Sequence, residues 1–348
     1  MDASGATVTV HRLDSSAAQR WDAFVLSCPE ATFFHRAGWK SVIESAFNKD
    51  CYFLYAERAG RICGVLPLVH VKSLLFGNSL VSTGFTVGGG PAVTDADALA
   101  ALDREAQSLA DALDVDCLEY RSEISHHPEW PNNADLYVVF RKPIGPDPEA
   151  DMKAIPRKQR AMVRKGIKAG LTSVIDDDVD RLHPVYAESV RNLGTPVFSK
   201  RFFGALMDTF APDIDIVTVM HDGAAVASVM NFYFRDQVLP YYGGGTFNAR
   251  SVAGNDFMYW EVMRRAGERG FTEFDFGRSK AGTGAFSFKK NWGFEPKPLT
   301  YEFKLRKLDS VPEFNPLNPK YRFFIAAWKK LPLPVAGLIG PYIVRNLG

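Results

Sequence analysis

Apolar positions recur along this chain with periods of two and of about 3.6, and the changes of period divide it into strands and helices. An extended run at Thr7–His11 leads into Ser15–Ser27, where Ala18, Trp21, Phe24 and Val25 share a helical face. A second short helix, Trp39–Phe47, follows the Phe33-Phe34 pair. Cys51–Glu57 and Arg61–Val71 are apolar-rich runs split by Arg58-Ala59-Gly60, the spacing of a hairpin that turns on Gly60. Asp95–Leu113 carries a longer stripe through Leu99, Leu102, Ala106, Leu109 and Leu113. Asp116–Arg121 and Leu136–Arg141 close this half as strands.

Lys142–Ala150 holds Pro143, Gly145, Pro146 and Pro148. Proline lacks a backbone donor and biases its predecessor out of the helical region, so this stretch reads as a linker. Beyond it the plan repeats. Ile155–Ala169 is helical, Leu171–Ile175 is a strand, and Val179–Asn192 and Lys200–Phe210 are helices. Ile214–His221, Ala224–Phe234 and Gln237–Gly243 are three strands, with turns at Asp222-Gly223 and Arg235-Asp236. A helix over Asn255–Arg269, with Asn255 as N-cap, leads into a strand at Thr272–Phe276, and Leu299–Leu305 is the last strand. Each half offers helices, a meander, a long helix and closing strands, which predicts a duplicated mixed α/β domain. The expected divisions are 1–145, 146–308 and a tail over 309–348.

Composition changes this picture little. At 348 residues, 46% hydrophobic and 13% aromatic, the chain is too apolar for disorder and long enough for two cores. A formal charge of +1 supplies no global field toward nucleic acid, so electrostatic roles fall to local clusters. Cys28, Cys51, Cys63 and Cys117 lack CxxC spacing, and three lie in or beside apolar runs, the pattern of buried thiols in a reducing cytoplasm. No apolar leader opens the sequence and no run nears the ~20 residues that span a bilayer, so a cytoplasmic protein is expected.

The tail differs. Glu313 is its last acidic residue, and Lys320, Arg322, Lys329, Lys330 and Arg345 then alternate with Phe323, Phe324, Ile325, Trp328 and the run Val335–Ile339. Pro332, Pro334 and Pro341 interrupt any long helix. Two readings stand: a strap packed on the domains, or a peripheral contact with an anionic membrane at its inner face.

Three segments can carry chemistry. In IPRKQRAMVRKGIKAG, Arg157, Arg160, Arg164 and Lys168 form one basic stripe flanked by Lys158 and Lys165, with no acid between Lys153 and Asp176. This is either a solvated face or a holder for the phosphates of a nucleotide-linked ligand or a tRNA end. In YYGGGTFNARSVAGNDF, Tyr242 precedes three glycines and Asn255 opens a helix. The glycines are either turn residues or a close approach to a ligand. The acetyl-CoA loop pattern (Q/R)xxGx(G/A) is absent. A matching cluster at Thr83–Pro91 reads as a structural loop.

The third segment, FDFGRSKAGTGAFSFKKNWGFEPKPLTY, spans Phe274–Tyr301. Asp275 ends a strand on the face opposite Phe274 and Phe276. A glycine-containing loop with Arg278 follows, then a short helix with Lys289 and Lys290. A lysine beside a reacting carbonyl can stabilise the oxyanion of acyl transfer, and the aspartate can orient that lysine, Arg278 or an attacking amine. The same charges also suit a plain surface loop.

Together, FDFG…GTGAFSFKKNWGFEP, PRKQRAMVRKGIKAG and the duplicated layout resemble the FemAB/FemX peptidyltransferase family, in particular its branch associated with exosortase/PEP-CTERM exopolysaccharide systems. The resemblance covers roughly residues 5–305. It implies two tandem GNAT-like domains with mixed, largely antiparallel sheets. It also implies an acyl- or aminoacyltransferase acting on an amine of a cell-envelope precursor. Family members take an amino acid from aminoacyl-tRNA. The family's FK lysine falls on Lys289 and its strand-end DFG on Asp275 and Gly277. No long heptad pattern supplies the helical arm found in some members. The donor therefore stands open between aminoacyl-tRNA and acyl-CoA, with no permanently bound cofactor and no metal expected. A CoA-dependent N-acyltransferase and a non-catalytic module of an envelope-polysaccharide assembly are the alternatives. His126-His127, His183 and His221 complete no ligand set, and Glu119 and Arg121 either face a ligand or pair with each other.

Overall fold

The computed structural model describes residues 6–73, 77–134, 136–312 and 319–347, and side chains in these ranges except 319–322. Lys320 and Arg322 of the basic tail thus lie outside the described side chains. The strands, in chain order, are β1 (Thr9–Arg12), β2 (Cys51–Arg58), β3 (Arg61–Ser73), β4 (Gly77–Ser82), β5 (Ala92–Val93), β6 (Cys117–Ser122) and β7 (Tyr137–Pro143). There follow β8 (Thr172–Asp176), β9 (Ile214–His221), β10 (Ala224–Phe234), β11 (Gln237–Gly245), β12 (Glu273–Lys280), β13 (Glu295–Pro298) and β14 (Thr300–Leu305). The helices are α1 (Ala18–Ser27), α2 (Gly38–Phe47), α3 (Ala96–Ala112), α4 (Pro148–Ala154), α5 (Arg157–Lys168) and α6 (Leu182–Leu193). The rest are α7 (Lys200–Phe210), α8 (Ala249–Val252), α9 (Gly254–Glu268), α10 (Gly284–Asn291), α11 (Pro319–Trp328) and α12 (Leu333–Val344).

The same local chemistry starts both sheets. Ala59-Gly60 (φ 49° and 78°) joins β2 to β3, and Asp222-Gly223 (φ 49° and 81°) joins β9 to β10. Two successive left-handed residues make the turn whose twist matches antiparallel strands, and glycine takes the second position without a Cβ clash. From these hairpins grow the meanders β2–β3–β4 and β9–β10–β11. A helix then returns the chain so that the next strand runs parallel to the meander's last: α3 before β6, and α9 before β12.

α3 is capped by Asp95, whose carboxylate accepts from Ala98 N (3.0 Å) and is held by both terminal nitrogens of the Arg58 guanidinium. Its stripe Leu102, Ala106 and Leu109 packs on Leu54, Leu66, Leu68 and Leu80. In the second unit α9 supplies Met258, Val262, Met263 and Ala266 against Val217, Val219, Val229 and Phe274. Asn255 is not the N-cap of α9. The helix starts at Gly254 after the left-handed Ala253 (φ 58°), and Asn255 stands in its first turn. Pro341 lies within α12 and does not stop it.

The strands expected to close each half are exchanged. The first sheet runs β1–β2–β3–β4–β6–β14, and the second β13–β7–β12–β11–β10–β9–β8. Chain contacts accordingly give two units, one of residues up to Tyr137 with Pro298–Pro312 and the end from Arg345, the other of Val138–Lys297 and Glu313–Val344. The hydrophobic pattern of a strand states which face is buried, not which neighbour it pairs with, so the exchange left no mark in the periodicity. β14 lies antiparallel to β6 from Thr300↔Ser122 to Leu305↔Cys117. Its Glu302, fully buried, accepts from Ser125 Oγ (2.6 Å), His127 N (2.8 Å) and His126 N (3.2 Å).

A chain ended after Lys297 strips β6 of β14 and three donors of the Glu302 carboxylate. The first unit of that truncated protein should lose its cooperative thermal transition and bind a hydrophobic dye, whereas a transition equal to the full chain's would show that β14 is dispensable.

Candidate functional site

In the second unit, β11 and β12 are paired only at Gln237↔Glu273 and Val238↔Phe274. Further along, the β10–β11 register slips: Met230 faces Tyr242 while Asn231 faces Pro240, so Tyr241 is the extra residue of a bulge. A bulge bends its strand and takes one backbone unit out of the ladder.

Lys289 reaches β12 from α10. Thr283 caps this helix by accepting from Phe286 N, and Gly282 (φ 76°) turns the chain into it. The Lys289 ammonium donates to Gly277 O and to Arg278 O, both at 3.0 Å, and stands over the rings of Phe140 (5.6 Å) and Phe276 (5.7 Å). Burial pushes it down to about 7, with Asp275 opposing the shift and Arg278 adding to it. Two of its three N–H bonds are engaged by the carbonyls, which leaves one to aim at a substrate oxygen.

Asp275 is 3% exposed and accepts from Arg141 Nε of β7 (2.8 Å) and from Gly277 N (2.7 Å). Its carboxylate therefore pins the backbone that Lys289 grips. Arg278 contributes the second carbonyl and is half-buried, and Lys280 beyond it is brought down to about 8 by burial and by Arg278. Lys290 points the other way, exposed beside Phe286 (5.8 Å).

The basic stripe of α5 is a separate feature of the same unit. Gln159, Val163 and Gly166 form its buried face, with Gln159 hydrogen-bonded to Asp256 at the start of α9. Arg157, Arg164, Lys165 and Lys168 are exposed, Arg160 donates to Lys153 O (3.0 Å), and none makes an ion pair among the described residues. An open hollow of about 440 Å³ lies over Arg157, Arg160, Arg164, Lys165 and Lys168. Pro156, just before α5, packs on Gly293, just after α10, so the stripe begins where the lysine helix ends.

Tyr242 and Asn255 do not join either cluster. Tyr242 is 3% exposed among Tyr186, Phe198, Phe202 and Phe203, and its hydroxyl has no hydrogen-bond partner among the described residues. The three glycines serve packing. A Cβ on Gly243 would lie 2.6 Å from Val229 Cγ2, one on Gly244 2.1 Å from Ser189 Oγ, and one on Gly245 2.3 Å from Asn255 Oδ1. Protein fills the space a ligand would need. In the first unit, Arg121 pairs with Glu119 (2.7 Å) and donates to Thr86 O (2.9 Å), while His127 stacks on Trp130 (3.9 Å).

Residues 157–290 match a family model described as an acetyltransferase (GNAT) domain. FemX, at 15% identity, shares the fold over 91% of this chain and 100% of its own, with a TM-score of 0.70. A tandem GNAT protein from the clavulanic acid biosynthesis pathway, at 13% identity, covers 86% of this chain and 98% of its own with a TM-score of 0.54. The chain has the tandem GNAT-like fold. No curated protein matches it by sequence.

Within this GNAT-like second unit, sequence reasoning missed Arg141, the bulge at Tyr241 and Lys280. Arg141 meets Asp275 across 134 residues of chain. Lys280 ends β12, which runs on through the stretch expected as a loop from Gly277; its charge was legible and its burial was not.

The Lys289 ammonium also writes itself into stability. Its folded value, about 7, lies below the ordinary 10.5, so between these limits the unfolded chain holds a proton that the folded chain has released. Stability from this group therefore rises with pH across that window. Relative to Lys289→Met, the wild type should gain up to about 1.4 kcal/mol per pH unit above pH 7 in urea unfolding; parallel curves at pH 7, 8 and 9 would mean the ammonium is not desolvated.

Proposed function

We propose that the protein transfers an acyl or aminoacyl group to an amine of a cell-envelope or exopolysaccharide-related precursor, with its chemistry in the second unit. One observation carries this reading: the desolvated Lys289 ammonium, gripped by Gly277 O and Arg278 O, is fixed against β12 beyond its pairs with β11. The acceptor amine attacks the donor's carbonyl carbon and a tetrahedral oxyanion forms. The free N–H of Lys289 stabilises that oxyanion. The bond from carbon to the leaving oxygen or sulfur then breaks, the leaving group takes up a proton, and the amine loses one to solvent.

Asp275 acts here as a positioning residue through Arg141 and Gly277. Arg157, Arg160, Arg164 and Lys168 hold the phosphates of a nucleotide-linked precursor or of the donor, as their hollow and unpaired charge favour. Aminoacyl-tRNA is the first candidate donor, in keeping with the FemX-like fold and the absent acetyl-CoA loop pattern. Acyl-CoA is the second, in keeping with the acetyltransferase model over residues 157–290.

Lys289→Met should lower single-turnover transfer, followed by mass spectrometry of the modified precursor, by 10²- to 10³-fold. A loss of only a fewfold would remove the lysine from the mechanism. Because the proton must be present, the rate ratio of wild type to Lys289→Arg should fall as pH rises through about 7. A ratio that climbs instead would make Lys289 a base. For the donor, acetyl-CoA should leave the thermal midpoint unmoved; a rise that grows with its concentration would favour the CoA reading.

A further inference from the structure

α11 and α12 both rest on the segment that follows α6. A Cβ on Gly194 would lie 2.5 Å from Ile325 Cγ2, Lys329 O accepts from Arg191 Nη1 (3.1 Å), and a Cβ on Gly340 would lie 2.9 Å from Val197 N. The seated faces are Ile325 and Trp328 of α11, and Ala336, Gly340 and Val344 of α12. This much is the packed strap.

The opposite faces are open. On α12, Val335 (41% exposed), Leu338 (70%), Ile339 (37%) and Tyr342 (61%) recur at i, i+3, i+4 and i+7, one continuous stripe. On α11 the same spacing gives Phe323 (84% exposed), Ala326 and Ala327, with Lys330 just beyond the helix, all exposed. Leu193, beside the common seat, is 66% exposed as well. Apolar stripes of this size turned to water mark a surface that meets something apolar.

Charge says what. From Pro319 to Leu347 the sequence holds five basic residues and no acidic one, and Lys329 and Lys330 are exposed next to the stripes. Two copies docked through this face would set like charges against each other. An anionic bilayer neutralises them and takes up the apolar stripe. At 12 residues α12 is about 18 Å long, short of the ~30 Å hydrocarbon core, so it fits the interface plane and not a span.

We propose that α11 and α12 form an interfacial anchor that docks the second unit on an anionic lipid bilayer, with Phe323, Leu338 and Ile339 entering the acyl boundary and Lys329 and Lys330 at the headgroups. The anchor is independent of which acyl donor the site uses. The full chain should cosediment with vesicles of phosphatidylcholine containing about 30 mol % phosphatidylglycerol, less with phosphatidylcholine alone, and less as salt is raised. The double change Lys329→Gln/Lys330→Gln should weaken that binding about 30-fold, roughly fivefold per charge, and Leu338→Ser should weaken it at every salt concentration. All three side chains are exposed, so the thermal midpoint should stay put and confirm that the variants fold. Failure to sediment with the anionic vesicles, or binding indifferent to Leu338→Ser, overturns the proposal. So does a concentration-dependent dimer that Leu338→Ser dissolves, because the face would then belong to a second copy of the chain.

Discussion

A backbone carbonyl drawn out of water needs a donor, and β12 runs on beyond its pairs with β11. β11 and β12 pair at Gln237↔Glu273 and Val238↔Phe274, while β12 continues to Lys280. At Gly277 and Arg278 the donor is the Lys289 ammonium. That solution has a consequence. It draws a cation between the rings of Phe140 and Phe276, where burial lowers its proton affinity until it titrates near neutrality. The lysine that answers these carbonyls is therefore also the tuned charge beside the strand. Asp275 and Arg141 hold the strand end still, so the arrangement is a property of the sheet and not of a free loop.

The duplication explains why this edge can exist. A strand that returns parallel to a meander presents a second edge of unpaired groups, and an exposed edge invites mispairing. Both units solve this with a strand from elsewhere in the chain: β14 flanks β6, and β7 flanks β12. β7 brings Arg141 to Asp275, and β14 brings Glu302 to the backbone of His126 and His127. The exchange thus covers an edge and supplies a charged partner in one step.

Much of this was legible in the sequence, and the limits have a common cause. Helices, meanders and turns follow from neighbours a few residues apart, so the stripe of α3 and the Asp222-Gly223 turn could be read directly. The FDFG…FKK segment carried the tandem fold because its strand, loop and helix are contiguous. Strand exchange, the bulge at Tyr241 and the Arg141–Asp275 pair depend on contacts between distant residues, for which a single sequence holds no period. Asn255 misled for a related reason. Asn is a good cap by its side chain, but the left-handed Ala253 already ends the preceding turn, and the helix begins one residue earlier. The glycines at 243–245 looked like room for a ligand, whereas Ser189, Val229 and Asn255 occupy it.

The charges of the second unit divide into two physical kinds, and that division orders their roles. Lys289 and Lys280 are desolvated, so their protonation responds to small changes in their surroundings, as a group at a reacting centre requires. Arg157, Arg164, Lys165 and Lys168 are exposed and, among the described residues, unpaired by acids, which suits reversible capture of a phosphate and not proton control. Lys329 and Lys330 are exposed too, but they border apolar stripes, whereas the α5 cations themselves line an open hollow. Several cations around one hollow suit a multivalent anion, while a cation beside exposed leucine and phenylalanine suits a surface that is anionic above and apolar beneath. One unit thus carries three basic features whose surroundings, more than their charge, determine what each can hold.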